Sequence, residues 1–144
     1  MRILVSACLR GLCCRYAGKS KANERVRRLA EKHELIPVCP EQLGGLPTPR
    51  PPAEIRDGRV INCLGQDVTA QYEKGAAETL RLYDLLQCDC ALLKARSPSC
   101  GSETVYDGSF SGTLIPGQGI AAKALSQRNI PVLSEENDWG SLLD

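Results

Sequence analysis

The length and composition of the chain are those of one ordinary globular domain. Its 144 residues fit a typical domain of about 100–150 residues, so residues 1–144 are predicted to form a single domain. Apolar residues make up 42% and charged residues 24%, which excludes a disordered chain. Eighteen Lys and Arg nearly balance seventeen Asp and Glu, so no extended nucleic-acid surface is expected. Eight cysteines beside one histidine are the unusual feature.

The role of the cysteines depends on the cellular compartment that the sequence indicates. The N-terminal apolar stretch is too short for a signal peptide, and no run approaches the roughly 20 residues of a membrane helix. We therefore expect a cytoplasmic protein, a monomer or small homo-oligomer, with no membrane partner. In a reducing compartment the cysteines favour thiol chemistry or metal binding over a disulfide framework.

Short apolar runs alternate with amphipathic stretches along the first part of the chain. Residues 2–6 form a β-branched apolar run that is typical of a buried strand. Within 21–33, apolar residues recur at helical spacing, which predicts an amphipathic helix with Ser20 as its cap. A second strand is predicted at 35–38, where Pro37 indicates a strand end or a sheet edge.

Breaker residues divide the rest of the chain into further elements. The Pro- and Gly-rich stretch 39–52 predicts a long stiff loop and excludes helix and central strand. Asp57-Gly58 within 54–62 is a hairpin signal. The remaining predictions are a helix at 69–87 capped by Thr69, a strand at 90–94, a loop from Ser97 to Gly119, a helix at 120–128, a strand at 130–133 and a short helix at 136–143.

Alternation of strands and helices predicts the fold class. Parallel strands joined by helical crossovers require helices on both faces of the sheet. We therefore expect a three-layer, Rossmann-like α/β fold with a mainly parallel sheet of about four strands. Ligands bind such folds beyond the carboxyl ends of the strands, where the chain reverses its direction around the sheet.

Three cysteines follow three different predicted strands. Cys8 comes after the first strand, Cys39 after the second, and Cys100 in the loop past the third. The strand ends place these thiols at one edge of one sheet, where three thiolates suit a soft metal or an iron-sulfur cluster. Three ligands would leave one iron of a 4Fe-4S cube open for catalysis. The alternative is that each packs as a small hydrophobic side chain.

Other polar side chains accompany these cysteines. Glu41 follows Cys39 by two residues and is the carboxylate best placed for general acid or base work; the alternative is a solvated loop charge. Ser97 and Ser99 flank a proline and could donate hydrogen bonds to a ligand or only shape the turn. Among the remaining thiols, Cys13 and Cys14 are minor candidates as spare ligands or resolving thiols, while Cys88 and Cys90 favour core packing.

Two other functions are compatible with the sequence. Glycine-rich stretches at 108–112 and 116–119 precede a predicted helix and could cradle an anion. They support an alternative function, a nucleotide- or anion-binding α/β module without cluster chemistry. A structural zinc site is the third hypothesis, but it would need a fourth ligand that the single histidine hardly supplies.

The motifs also resemble a known family. The matching stretches are Ser6-Ala7-Cys8-Leu9-x-Gly11, Arg15-Tyr16-x-Gly18, the run from Val38 through Cys39-Pro40-Glu41 to Ile55, Leu93-Lys94-x-x-Ser97-Pro98-Ser99-Cys100-Gly101-Ser102, and Tyr106-Asp107-Gly108-Ser109-Phe110-Ser111-Gly112. Together they are similar to a widespread bacterial family that includes the thiouracil desulfidases. The resemblance spans nearly the whole chain.

The resemblance implies a cofactor and a reaction. It implies a 4Fe-4S enzyme, with Cys8, Cys39 and Cys100 as cluster ligands, that removes sulfur from a small thiolated pyrimidine such as 2-thiouracil without net redox change, giving the oxygenated base and hydrogen sulfide. It also implies Glu41 as the acidic catalytic residue. The catalytic serine falls in the Ser-Pro-Ser-Cys loop, with Ser97 preferred to Ser99. One departure is Ala17, where the family usually has Asp.

Overall fold

The computed structural model describes residues 1–143, in which a central parallel sheet confirms the predicted α/β class. The strands are β1 (Arg2–Ser6), β2 (Glu34–Val38), β3 (Ala53–Arg56), β4 (Arg59–Asn62), β5 (Cys90–Leu93), β6 (Thr104–Tyr106), β7 (Leu114–Pro116) and β8 (Val132–Ser134). The helices are α1 (Glu24–Leu29), α2 (Pro40–Leu43), α3 (Thr69–Leu85) and α4 (Ile120–Gln127), with 3₁₀ turns at Ala7–Arg10 and Gly140–Leu142.

The sheet has the order β2-β1-β5-β8, and every pair in it is parallel. The chain leaves β1 toward β2 and then crosses back to β5, so its direction around the sheet reverses between β1 and β5. β2 lies at an edge, which explains why Pro37 is tolerated in it. Because the strands are parallel, their carboxyl ends all lie at the same end of the sheet, where a ligand site is expected.

Two cores cover the two faces of this sheet. Val26 and Leu29 of α1 pack on one face with alternate side chains of β1 and β5, namely Ile3, Val5, Cys90 and Leu92. Tyr83 of α3 and Leu125 of α4 pack on the other face with Leu4, Ala91 and Leu93. The predicted three layers are therefore confirmed, and Cys88 and Cys90 lie buried in these cores as expected.

Several predicted boundaries are wrong at element ends. The first helix covers only Glu24–Leu29, because the cap is Asn23, whose Oδ1 accepts from Val26 N at 3.1 Å, and not Ser20. Thr69 does not cap α3: it is the first helical residue after Val68, and its hydroxyl accepts from Val60 N. The helix predicted at 136–143 reduces to the 3₁₀ turn Gly140–Leu142.

Both breaker-rich stretches contain regular structure that the sequence analysis excluded or missed. The stretch 39–52 includes α2, because Pro40 occupies its first turn, where a missing amide N–H costs nothing. The stretch 97–119 includes the antiparallel pair β6–β7. The hairpin predicted within 54–62 is confirmed as β3–β4 around Asp57-Gly58. None of the helices described in residues 1–143 is long and apolar enough to cross a membrane.

Candidate active site

A cavity of about 520 Å³ opens at the carboxyl ends of the strands, where the chain reverses its direction around the sheet between β1 and β5. Its walls come from the segments that follow β1, β2 and β5 and from the β3–β4 and β6–β7 hairpins. All six residues proposed from the sequence line it: Cys8, Cys39, Glu41, Ser97, Ser99 and Cys100. The structure thus brings into one cavity side chains that are up to 92 positions apart in the sequence (100 − 8).

The three cysteines reach the cavity from three different strand ends. Cys8 lies on the 3₁₀ turn after β1, Cys39 follows β2 directly, and Cys100 is buried in the loop after β5. Burial raises the pKa of Cys8 to about 12, and the nearby Cys100 thiolate adds to the rise. Burial also raises the pKa of Cys100 to about 11, against the opposing effect of the Ser6 hydroxyl, which donates to its Sγ at 3.2 Å. These thiols therefore share one electrostatic environment.

The spacing of the side chains that could bind a metal bears on the zinc hypothesis. Within residues 1–143, no three His, Cys, Asp or Glu side chains converge closely enough to hold a single metal ion. A structural zinc site needs such convergence, so the zinc hypothesis finds no donor set in this part of the chain. In an iron-sulfur cluster each thiolate binds a different iron, so its ligands stand further apart.

Glu41 forms the centre of a hydrogen-bond network. It lies in the first turn of α2, where Arg50 Nε donates to its Oε1 at 2.9 Å and Ser99 Oγ donates to its Oε2 at 2.8 Å. Tyr72 of α3 is buried beside this carboxylate: burial, then the charge of Glu41 and a hydrogen bond to it, raise the pKa of the Tyr72 hydroxyl. That hydroxyl stays protonated and can donate to Glu41.

The two loop serines have different roles. Ser97 Oγ accepts hydrogen bonds from the backbone amides of Ser99 at 3.1 Å and of Cys100 at 2.8 Å, so it shapes the turn. Ser99 Oγ is the hydroxyl that reaches Glu41. Ser99 is therefore the serine in direct contact with the carboxylate, and Ser97 Oγ lies 3.0 Å from Ser99 Oγ; which of the two is the catalytic serine stays a prediction.

Arg50 is the main residue of the site that was not predicted from the sequence, because the prolines around it indicate only a stiff loop. The side chain is 4% exposed and forms an ion pair with Glu41. Its guanidinium also donates to the carbonyl oxygens of Cys14 at 2.9 Å and Pro47 at 3.2 Å and to Thr48 Oγ1 at 3.1 Å. One buried cation thereby joins the loop after β1, helix α2 and the proline-rich segment. An arginine inside a stiff loop beside a nearby acidic residue was the available signal.

A close helix contact positions Glu41 from the other side. Gly44 at the end of α2 lies against the backbone of Gln71, and Gly75 of α3 lies against the backbone of Pro40. A Cβ atom at either glycine would collide with the facing carbonyl oxygen. Only glycine lets α2 and α3 approach this closely, so this pair sets the depth at which Glu41 enters the cavity.

Basic and aromatic side chains also line the cavity. Basic side chains of Arg15, Lys21, Lys94 and Arg96 line it together with Tyr16, Tyr106 and Phe110. Lys94 is fixed by Glu135, whose Oε2 lies 3.1 Å from Nζ, and the Lys94 charge opposes the rise in the Cys8 pKa. Phe110 adopts a positive φ of 57°, a strained conformation for an aromatic residue, and its amide donates to Glu54 Oε1 at 3.1 Å.

Most amides of the glycine-rich stretches are bonded within the protein. Gly108 N and Phe110 N both donate to Glu54 Oε1, and Ser109 N donates to Asp107 Oδ1. At the start of α4, the first amides donate to the carbonyl oxygens of the 97–100 loop. The amides of residues 108–110 and of the first turn of α4 are therefore already used within the protein, and they give no support to the alternative of an anion-binding module.

The fold and the cavity together define an α/β protein with a thiol-lined site at the carboxyl edge of a parallel sheet. Over residues 3–137 the sequence matches the family described as 2-thiouracil desulfurase. The chain belongs to this family, as its motifs predicted.

Two similar proteins extend the comparison. YbbK of Bacillus subtilis (strain 168), described as an uncharacterized protein, is 43% identical over 151 residues, which cover 98% of this chain and 99% of YbbK. A solved structure of TudS, a 4Fe-4S-dependent thiouracil desulfidase, is 42% identical. The match covers 94% of this chain and 91% of the TudS chain, with a TM-score of 0.88. The same fold is therefore present in TudS.

Proposed function

We propose that this protein is a cytoplasmic desulfidase that removes the sulfur of a thiolated pyrimidine such as 2-thiouracil by hydrolysis. The observation that carries the proposal is one cavity holding Cys8, Cys39 and Cys100 beside the Glu41–Ser99 pair. Membership of the 2-thiouracil desulfurase family and the likeness to 4Fe-4S-dependent TudS support it.

The donor set fits a 4Fe-4S cluster. We propose Cys8, Cys39 and Cys100 as its three protein ligands, because they are soft donors that enter the cavity from separate strand ends. When bound, the cluster supplies an iron without a protein ligand, a Lewis acid for a soft thiocarbonyl sulfur. Burial holds the Cys8 and Cys100 thiols protonated in the cluster-free protein, so ligation must release protons.

Glu41 and Ser99 supply the proton chemistry in this proposal. The carboxylate takes a proton from the water that attacks the carbon bearing sulfur, and returns a proton to the leaving sulfur. One C–S bond breaks and one C–O bond forms, so thiouracil and water give uracil and hydrogen sulfide with no net redox change. Arg50 occupies Oε1, which leaves Oε2 as the oxygen that works with Ser99.

The cavity also fits the substrate class. A volume of about 520 Å³ lies within the roughly 300–1,000 Å³ of small-molecule sites. Tyr16, Tyr106 and Phe110 line it with aromatic rings, and a planar pyrimidine stacks favourably on such rings. A free base occupies only part of this space.

The test combines metal content with turnover. Protein prepared without oxygen should contain iron and acid-labile sulfide and release sulfide and uracil from 2-thiouracil. Cys39→Ala should lose the cluster, whereas Cys63→Ala, at an exposed cysteine, should keep both cluster and activity. A protein that binds no cluster on anaerobic reconstitution would refute the proposal.

A second set of variants tests the proton chemistry. Glu41→Gln should keep the iron content but lose about 10²–10⁴-fold in kcat, the usual contribution of a general acid or base. Ser99→Ala should reduce kcat at unchanged iron content, because its hydroxyl contacts Glu41. A larger kcat loss in Ser97→Ala at full iron content would reverse the assignment of the two serines.

A further inference from the structure

Cys14 is a buried thiol in the cavity wall for which the proposed reaction has no use. It is 5% exposed and belongs to the same core cluster as Cys8, against which Cys39 packs. The Cys39 thiol points at the Cys14 carbonyl oxygen, 3.8 Å away. Burial, then the charge of Cys39 and a hydrogen bond to its thiol, raise the pKa of Cys14. The Cys39 thiol therefore lies beside the backbone of Cys14, and both side chains belong to the same packed cluster.

The backbone around the two cysteines is held by one side chain. Arg50 Nη2 donates to the Cys14 carbonyl at 2.9 Å, and Arg50 Nε donates to Glu41, two residues after Cys39. The guanidinium thereby clamps the two cysteine-bearing segments together. Cys13 is exposed while Cys14 is buried, so these neighbouring side chains face different surroundings.

We propose that Cys14 and Cys39 form a reversible disulfide in the cluster-free protein when a low-molecular-weight disulfide such as glutathione disulfide is the oxidant. Cys39, the half-buried thiol that faces the cavity, reacts first: its sulfur bonds to one glutathione sulfur and the other glutathione leaves as a thiol. Cys14 then attacks the Cys39 sulfur and releases the second glutathione thiol. Two protein thiols are oxidised and one glutathione disulfide is reduced to two thiols.

The consequence for the cluster rests on the proposed function. If Cys39 is a cluster ligand, the disulfide removes one of the three ligands, and cluster assembly then requires prior reduction. The disulfide also protects the Cys39 sulfur from irreversible oxidation to sulfinic or sulfonic acid while the cluster is absent. A bound cluster holds Cys39, so the holoprotein should resist the same oxidant.

Peptide mapping tests the pairing directly. The full-length cluster-free protein is treated with glutathione disulfide, its remaining thiols are alkylated, and it is digested with trypsin. Cleavage after Arg10, Arg15, Lys32 and Arg56, with Arg50-Pro51 resisting, gives fragments 11–15 and 33–56. We expect these two fragments to be linked by a disulfide, with six of the eight cysteines (8 − 2) still alkylated, and dithiothreitol should separate them.

Matched variants identify the cysteine within fragment 11–15, which contains both Cys13 and Cys14. The link should persist in Cys13→Ser and disappear in Cys14→Ser, where Cys39 should retain glutathione. A wild-type protein that accumulates glutathione on Cys39 without the link, or a link abolished by Cys13→Ser, would overturn the proposal. The wild-type map decides this even if Cys14→Ser does not fold.

Iron uptake separates this proposal from the proposed function. The oxidised wild-type protein should take up markedly less iron and sulfide on reconstitution than the reduced protein, and dithiothreitol should restore uptake. A linked protein that assembles its cluster undiminished would refute Cys39 as a ligand while leaving the Cys14–Cys39 pairing intact.

Discussion

Replacing Arg50 by methionine should destabilise the protein far more than replacing an exposed arginine of similar geometry. Arg50 is 4% exposed and Glu41 is 13% exposed, so their ion pair lies out of water. Arg50→Met keeps much of the side-chain volume but leaves the Glu41 carboxylate buried without its cation. It also removes the donor to the Cys14 carbonyl.

The magnitude follows from this burial. Breaking a buried ion pair by removing one partner costs about 3–5 kcal/mol, because the remaining charge stays in a low-dielectric site. With a urea dependence of about 1–3 kcal/mol per M, the unfolding midpoint should fall by roughly 1–5 M. The control is Arg128→Met, whose guanidinium is bidentate to Asp84 at 2.8 and 2.9 Å but 45% exposed. An exposed pair contributes about 0–1 kcal/mol.

Urea unfolding of the cluster-free proteins measures this difference. Trp139 is the single tryptophan, and its indole donates to the Ser134 carbonyl at 2.9 Å, so its fluorescence reports on the fold. We expect Arg50→Met to lose several times more free energy of unfolding than Arg128→Met. Equal losses in the two variants would refute the idea that the Arg50–Glu41 pair is energetically buried.

Three further changes test other parts of the molecule. Gly44→Ala should cost about 1–3 kcal/mol of unfolding free energy, because its Cβ meets the Gln71 carbonyl, and urea midpoints measure it. Phe110→Ala should raise KM for 2-thiouracil by roughly tenfold at unchanged iron content, through lost stacking. The pKa of Cys8 is about 12 and that of Cys100 about 11 in the folded protein, against 9.0 for both thiols in the unfolded chain. The unfolded chain therefore loses these protons first, and the cluster-free protein should lose stability as pH rises above 9.0. The loss should reach up to about 1.4 kcal/mol per pH unit for each buried thiol. Equal urea midpoints on either side of pH 9.0 would contradict this.

The sequence predicted which cysteines share a cavity because that prediction needs only the strand ends and their parallel order. Both come from local signals: apolar runs mark β1, β2 and β5, and the intervening helices require parallel crossovers. Errors of a few residues in the helices do not move a strand end. Cys8, Cys39 and Cys100 therefore line one cavity, as expected, although several predicted helix boundaries were wrong.

Tertiary pairing overrode local patterns elsewhere. The helical spacing at 21–33 continues past Leu29, but the chain must enter β2, and Glu34 N already bonds the Met1 carbonyl. Near the C-terminus, the Ser134 amide and carbonyl are held by Asn137 and Trp139, which favours turns over the predicted helix. Such contacts join residues through the fold, so no periodicity in the sequence reveals them.

The choice between Ser97 and Ser99 shows a second limit. Both are serines in one turn, and only the conformation of that turn distinguishes them. Two backbone amides donate to Ser97 Oγ, whereas the Ser99 hydroxyl donates to Glu41. Likewise, the pairing of Arg50 with Glu41 depends on the path of the proline-rich loop between them. Side-chain roles within a loop follow from its conformation, which residue types alone do not determine.

Arg50 links the two kinds of chemistry that this cavity combines. The same guanidinium holds the carboxylate proposed for proton transfer and the carbonyl of Cys14, whose oxygen lies 3.8 Å from the Cys39 sulfur. A change at Arg50 therefore displaces the acid-base group and the thiol pair together. Arg50→Lys keeps the positive charge, but its compact ammonium cannot reproduce the planar fork that spans both partners. It should therefore weaken both kcat and the Cys14–Cys39 disulfide, whereas Ser99→Ala should reduce kcat alone.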